Sequence, residues 1–183
     1  MENTNLLTIN FEKFIKNNKN IFTGKNIAIA VSGGADSLAL AIISNKFKYK
    51  YNYKLIAFTV DHQLRKEAAK EARHVKKLIQ DIGIDHYTLV WSAEKPNTKI
   101  QESSRIARYN LLSEACNKYE CNSILLGHHA DDQVETFIIR LEANSGLDGL
   151  SCMQEKNKIL TSYGQINLIR PLINTRKKTL IEI

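Results

Sequence analysis

Two apolar rhythms alternate along this chain. Short β-branched runs recur about every 30 residues, separated by longer stretches whose apolar positions repeat at helical spacing. The runs are "NIAIAV" from Asn26, "KLIAFTV" ending at Asp61, "HYTLVW" from His86 and "SILLG" from Ser123. Each predicts a strand, the second of them buried. The first helical stretch, Thr4 to Asn17, puts Leu7, Phe11, Phe14 and Ile15 on one face, and the second runs from Leu38 to Phe47. Lys66 to Ile82 carries Ala69, Ala72, Val75, Leu78, Ile79 and Ile82 in register, with Gly83 as its stop. Ile100 to Lys118 aligns Ala107, Leu111 and Ala115. Asp132 to Glu142 points Val134, Phe137, Ile138 and Leu141 inward. The last segment, "KILTSYGQINLIRPL", predicts a short hairpin or a fifth parallel strand.

Strands separated by single helices are the signature of βαβ units. The expected fold is therefore α/β, a Rossmann-like parallel sheet of about five strands with helices on both faces. Such sheets bind ligands beyond the carboxyl ends of their strands, where strand order reverses. The polar residues fall in that position. Ser32, Gly33, Gly34, Ala35, Asp36 and Ser37 follow the first strand. Asp61, His62, Gln63, Leu64 and Arg65 follow the second, and His128, His129, Ala130, Asp131 and Asp132 follow the fourth.

Composition narrows the class. The chain has 183 residues, 43% of them hydrophobic and 25% charged, enough for one domain with a core and too apolar for disorder. No apolar run reaches the roughly 18 residues that cross a bilayer, and the N-terminus lacks the pattern of a signal peptide. A cytoplasmic protein is expected. Lys and Arg number 26 against 19 Asp and Glu, a net +7 that suits nucleic acid or an anionic substrate. Cys116, Cys121 and Cys152 have neither disulfide nor CxxC spacing and read as small buried residues.

The loop "SGGADS" can cradle phosphate. Two glycines permit positive φ and close backbone approach, and the next helix turns free N–H groups and its positive dipole end toward the loop. It matches neither GxxxxGK[ST] nor GxGxxG, and it places Asp36 where phosphate would sit. A carboxylate beside phosphates needs a cation between them, so Asp36 points to a Mg²⁺ nucleotide. The competing expectation is an ordinary turn in which Asp36 or Ser37 caps the helix. In "LLGHHADDQVETFIIRL", Asp131 and Asp132 open a helix; they and His128 and His129 read either as a cap with solvated imidazoles or as a crevice wall. There they would be metal ligand, base or nucleotide contact, with Glu135 one turn on; a zinc pair is a further option. Arg105, Arg108 and Tyr109 form an ion-paired helix face with Glu102, or reach phosphates and stack on a base. The helix with Lys70, Arg73, Lys76 and Lys77 reads as a solvated face more than as an RNA surface. "NSGLDGL", Asn144 to Leu150, is a loop that could close over a substrate.

"SGGADS" resembles the pyrophosphate loop of the N-type ATP pyrophosphatases, which split ATP to AMP and pyrophosphate. "VDHQLR", "ESSRIARY", "LGHHADDQVETFIIRLEANSGLDGL" and "IRPL", in that order, resemble the tRNA(Ile)-lysidine synthetase branch of that PP-loop family. The resemblance runs from about Asn26 to Pro171, with Ser104 where the branch usually has alanine.

The resemblance implies a ligase. ATP would adenylate the wobble cytidine of tRNA(Ile) with anticodon CAU, and free L-lysine would displace AMP to form lysidine. It implies that Ser32 to Ser37 hold the β- and γ-phosphates, Asp36 facing Mg²⁺ and Asp61 beside the nucleotide. It sets the fourth strand beside the first, so that Asp131 and Asp132 approach Asp36 and one of them is catalytic or orients lysine. His128, His129, Arg105 and Arg108 are implied substrate contacts. Expected cofactors are ATP and Mg²⁺, and expected partners tRNA(Ile) and L-lysine, with no membrane and with room for a homodimer. The chain is expected to be the catalytic domain alone, residues 1–183, with C-terminal tRNA-binding domains absent. The alternatives are a PP-loop tRNA thiolase and a truncated ATP- or RNA-binding module without turnover.

Overall fold

The computed structural model describes residues 2–64, 67–142 and 152–180 of the chain. In chain order its elements are α1 (Glu2–Asn17), α2 (Lys19–Phe22), β1 (Asn26–Ala30), α3 (Ala35–Phe47), β2 (Lys54–Asp61), α4 (Ala68–Asp81) and β3 (Asp85–Val90). They continue with α5 (Ile100–Lys118), β4 (Cys121–Leu125), α6 (Ala130–Glu142), β5 (Lys156–Thr161), β6 (Gly164–Ile169) and α7 (Lys177–Leu180). Arg65, Lys66 and the Asn144 to Leu150 loop lie outside the described residues.

The strands form one sheet in the order β3-β2-β1-β4-β6-β5. All neighbours are parallel except β5, which pairs antiparallel with β6. Among the described residues the sheet thus has six strands, where about five were expected. Both expectations for the C-terminal segment hold together, because β5 and β6 make the hairpin and β6 supplies the fifth parallel strand. Order reverses at β1, which has β2 on one side and β4 on the other, as the resemblance implied.

Parallel strands buried on both faces explain the uninterrupted apolar runs. Ile27, Ile29, Leu55 and Ala57 face one core, with Leu7, Phe11, Phe22, Leu40, Val75 and Ile79 from α1 to α4. Ala28, Ile56, Phe58 and Ile124 face the other, against Tyr109, Leu112 and Cys116 of α5. Each fully buried Phe stabilises the fold by about 1.5–3 kcal/mol. Phe11, Phe22 and Phe58 reach that limit.

Three expectations about helix faces need correction. In α4, Ala72, Val75 and Ile79 are buried, but Ala69 and Leu78 are exposed, so the inward stripe is narrower than the apolar pattern. In α5 the buried face runs through Leu112 and Cys116 rather than Leu111. The largest difference is α6. Val134, Phe137, Ile138 and Leu141 are all exposed, and Ile139 with them. No element among the described residues packs along this helix. It is held at its N-terminal end, where Ala130 N–H donates to Thr175 O (2.8 Å) and Gln133 exchanges two hydrogen bonds with Met153 (2.6 and 2.8 Å). Its amphipathic pattern records a face able to be covered, and among the described residues nothing covers it.

Cys116 and Cys121 are buried as expected, whereas Cys152 is exposed. Lys70, Arg73, Lys76 and Lys77 all point to solvent. Among the described residues, no helix is long and apolar enough to cross a membrane.

Candidate functional site

A cavity of about 470 Å³ opens beyond the carboxyl ends of β1, β2 and β4. Three connections build its walls, and each is shaped by a local feature of sequence.

The first is the turn from β1 into α3. Gly33 adopts φ +91°, and a Cβ there would lie 2.7 Å from Val75 Cγ2, so α4 packs where only glycine fits. Gly34 is the N-cap of α3 and has no side-chain capping bond. Ser37 instead turns back into the loop: its hydroxyl donates to Gly34 O (2.9 Å), and its oxygen accepts from Ser32 N–H (3.2 Å). Neither Asp36 nor Ser37 caps the helix, so the ordinary-turn expectation does not describe this loop. Asp36 Oδ1 is buried and has no hydrogen-bond partner among the described residues. A buried, unsatisfied carboxylate oxygen costs free energy unless a ligand completes it.

The base of this loop is braced from two strands away. Thr59 Oγ1 donates to Val31 O (2.7 Å) and lies 2.8 Å from His86 Nε2. The hydroxyl proton is committed to Val31, so His86 donates through Nε2. Burial, seconded by Lys76, lowers the His86 pKa to about 4, which keeps this donor neutral.

The second wall follows β2. Asp61 is buried, and its Oδ1 accepts from Gln63 N–H (2.8 Å). His62 lines the cavity with its ring edge-on to Trp91 at 5.9 Å, and its Nδ1 is buried without a partner among the described residues. Burial first, then Arg108, lowers its pKa.

The third follows β4. A Cβ on Gly127 would meet backbone of the opposite loop, Ser37 Cα at 3.1 Å and Asp36 C and O at 3.2 Å. The sequence reading missed this residue; its signal was a lone glycine at a strand end facing a glycine loop. His128 and Asp132 line the cavity, but His129 and Asp131 do not. His129 is 3% exposed and links the carboxylates. Its Nε2 lies 3.5 Å from Asp36 Oδ2, and its Nδ1 lies 3.5 Å from Asp132 Oδ2 and 3.7 Å from Asp131 Oδ2. Asp132 is fixed from behind, because its Oδ2 accepts from His129 N–H (2.8 Å). Asp131 is drawn outward, accepting from Lys177 N–H (2.6 Å) at the start of α7, and this bond lowers its pKa. The structure therefore brings Asp132 to the cavity and assigns Asp131 to a structural contact. Glu135 is exposed.

The arginines also divide. Arg108 lines the cavity with its Nε buried and unpartnered among the described residues. Arg105 is exposed and outside the wall, with its guanidinium 5.2 Å from the Tyr109 ring centre. Tyr109 is buried between the two arginines, so it is not free to stack on a base, and Glu102 pairs with Lys99 (3.8 Å) rather than with Arg105. A further arginine, Arg170 in "IRPL", is buried and donates through Nε to His128 Nδ1 (3.2 Å).

The oxygens of this loop are one orphaned Asp36 carboxylate oxygen and the Ser32 and Ser37 hydroxyls, with His129 Nε2 against the other Asp36 oxygen. That set fits Mg²⁺, which takes one or two carboxylates and fills its shell with phosphate oxygens and water. Among the described residues, no group of three or more His, Cys, Asp or Glu is arranged to hold a metal. The two adjacent histidines diverge, one to Arg170 and one to the carboxylates, which removes the zinc-pair option.

The PP-loop domain matches residues 4–183. A tRNA(Ile)-lysidine synthase from Rickettsia akari (strain Hartford) is 37% identical over 175 residues, 94% of this chain and 40% of that protein. One from Rickettsia bellii (strain OSU 85-389) is 36% identical over 174 residues, 93% of this chain and 39% of that protein. This chain thus spans about two fifths of the length of these curated relatives. Among solved structures, the U34-tRNA thiolase NcsA from Methanococcus maripaludis, with its [4Fe-4S] cluster, superposes with a TM-score of 0.72. That match has 18% identity and covers 93% of this chain and 63% of that one, a likeness that bears on the fold alone.

Proposed function

Because this chain belongs to the PP-loop domain family, we propose that the cavity binds ATP with Mg²⁺ and serves lysidine formation on tRNA(Ile) with a CAU anticodon. The observation that carries the nucleotide half is the orphaned Oδ1 of Asp36 inside a glycine loop. Likeness to lysidine synthases along 94% of the chain supports the substrate half. The setting is the cytoplasm, where tRNA, ATP and lysine meet.

In this reading the Ser32 to Ser37 backbone and the first turn of α3 hold the β- and γ-phosphates. Asp36 would hold Mg²⁺, which supplies neutralising charge for the departing pyrophosphate. Arg108 turns its free Nε–H toward phosphate. The cytidine C2 carbonyl oxygen attacks the α-phosphorus, breaking its bond to pyrophosphate. That oxygen then leaves with AMP as the lysine ε-amine bonds to C2. The amine must shed its protons for this displacement. Asp132, at the cavity wall and held by His129 N–H, is the carboxylate placed to orient the amine and accept a proton.

A thiolase would need a reactive thiolate near the loop. Cys116 and Cys121 are buried, and burial pushes both thiols up, Cys121 to about 11. The test is mass spectrometry of tRNA(Ile) after incubation with this chain, ATP and lysine. The expected result is a gain of one lysine on the anticodon cytidine, with pyrophosphate release that requires both lysine and tRNA. ATP binding without turnover would reduce the chain to a nucleotide-binding module. Turnover that is indifferent to lysine and lost on cysteine replacement would favour the thiolase.

A further inference from the structure

Arg170 sits just beyond β6, 4% exposed, and no carboxylate lies within ion-pair distance of it among the described residues. Leaving a guanidinium buried without an anion is expensive unless its donors are used for something specific. Two of its five N–H donors make contacts. Nη1 donates to Gln154 O at 2.8 Å, anchoring the head, and Nε donates to His128 Nδ1 at 3.2 Å. The backbone is fixed as well, since Arg170 N–H donates to Glu155 O at 2.8 Å.

The second contact has a chemical consequence. A guanidinium does not lose its proton in a protein, so Arg170 Nε is always the donor and His128 Nδ1 always the acceptor. The single proton of a neutral His128 is therefore on Nε2, the ring nitrogen left for the cavity that His128 lines. The charges around the ring keep it neutral. Burial, then Arg170, lower the His128 pKa to about 4; Asp132 of α6 opposes them, and Arg108 and Arg105 of α5 add to them.

We propose that Arg170 is a positioning residue that locks His128 as a neutral Nε2–H donor to a phosphate oxygen of the bound nucleotide. This rests on the reading of the cavity as an ATP site. It also divides the labour there. His128 arrives with Nδ1 filled and Nε2 protonated and cannot accept the proton of the incoming amine, which leaves that task to Asp132.

Imidazole ¹⁵N NMR of the ligand-free chain across the pH range tests the lock without any variant. Wild-type His128 should show the Nε2–H tautomer alone, with no charged form near neutrality. A proton on Nδ1, or an imidazolium at neutral pH, overturns the proposal. Arg170→Met should give mixed tautomers and a titration midpoint moved upward. The functional half is read as the ratio of ATP dissociation constants, Arg170→Met over wild type. That ratio should be about twofold above pH ~7, because about half of the rings no longer present Nε2–H to the phosphate. It should close toward unity as acid converts the freed ring to an imidazolium, which donates again. A merely structural arginine would give a ratio independent of pH, and that result also overturns the proposal. Failure of wild type to bind ATP would instead strike the reading of the cavity, while the tautomer result would stand on its own.

Discussion

Gly33→Ala is the perturbation whose size follows most directly from geometry. Two costs add. At φ +91° an L-residue sits in backbone space that costs roughly 1–2 kcal/mol. The new methyl would also lie 2.7 Å from Val75 Cγ2, where carbon pairs prefer about 3.5–4.0 Å. Val75 is buried and packed against the first core, so relief requires a shift of α4, at about 1–3 kcal/mol for overpacking. The sum, about 2–5 kcal/mol, lowers the melting temperature of a chain this size by roughly 5–15 °C. Val75→Ala separates the two costs, because it removes the clashing methyl and leaves the backbone term. In that background Gly33→Ala should cost only about 1–2 kcal/mol, a coupling of about 1–3 kcal/mol between the sites. Urea unfolding of the four proteins measures it. Equal costs of Gly33→Ala in both backgrounds would refute the steric argument. A neutral Gly33→Ala would refute both parts.

Asp36→Asn should lower Mg²⁺-dependent ATP affinity at least about tenfold, since it removes a ligand charge; unchanged affinity by calorimetry would remove Asp36 from the metal's shell. Gly127→Ala presses a methyl on backbone at 3.1–3.2 Å rather than on a yielding side chain, so it should weaken ATP binding by displacing the first turn of α3, and wild-type affinity would contradict that contact. His86 titrates at about 4 when folded against 6.5 as a free side chain. Its folded pKa is depressed, so its stability contribution is full above pH 6.5 and falls between pH 6.5 and about 4, by roughly 1.4 kcal/mol per unit. His86→Gln, which keeps the donor to Thr59, should flatten that part of the pH–stability curve. Under native conditions iodoacetamide should modify exposed Cys152 and spare Cys116 and Cys121, read by mass spectrometry; rapid labelling of the buried pair would reopen the thiolase reading.

Where burial on both faces dictated the residues, the sequence spoke clearly. "NIAIAV" and "KLIAFTV" have no polar side to hide, and their strands match β1 and β2 to within a residue. The edge where Asp36, Asp61, His128 and Asp132 meet followed from the same logic, because parallel strands deliver all their carboxyl ends to one side. Periodicity was less informative about what covers a face, hence the misreading of α6, whose apolar positions are regular but uncovered among the described residues. Adjacent residues were harder still. Nothing in "HHADD" separates His128, at the wall, from His129, sealed between carboxylates, or Asp132 from Asp131. One backbone bond from Lys177, distant in sequence, makes the second distinction. Arg170 was passed over for the same reason: a lone arginine before proline carries no local sign of the histidine it holds.

The His86–Thr59–Val31 chain has a practical consequence for anyone engineering the cavity. It runs crosswise, from His86 in β3, outside the cavity lining, through Thr59 in β2 to Val31, the last residue before the glycine loop. Variation in β3 at or beside His86 would therefore surface as altered nucleotide affinity, at a position that a library confined to the cavity lining would never sample. Drift in substrate handling among homologues then arises from the edge strand β3 while every residue that meets the substrate stays the same.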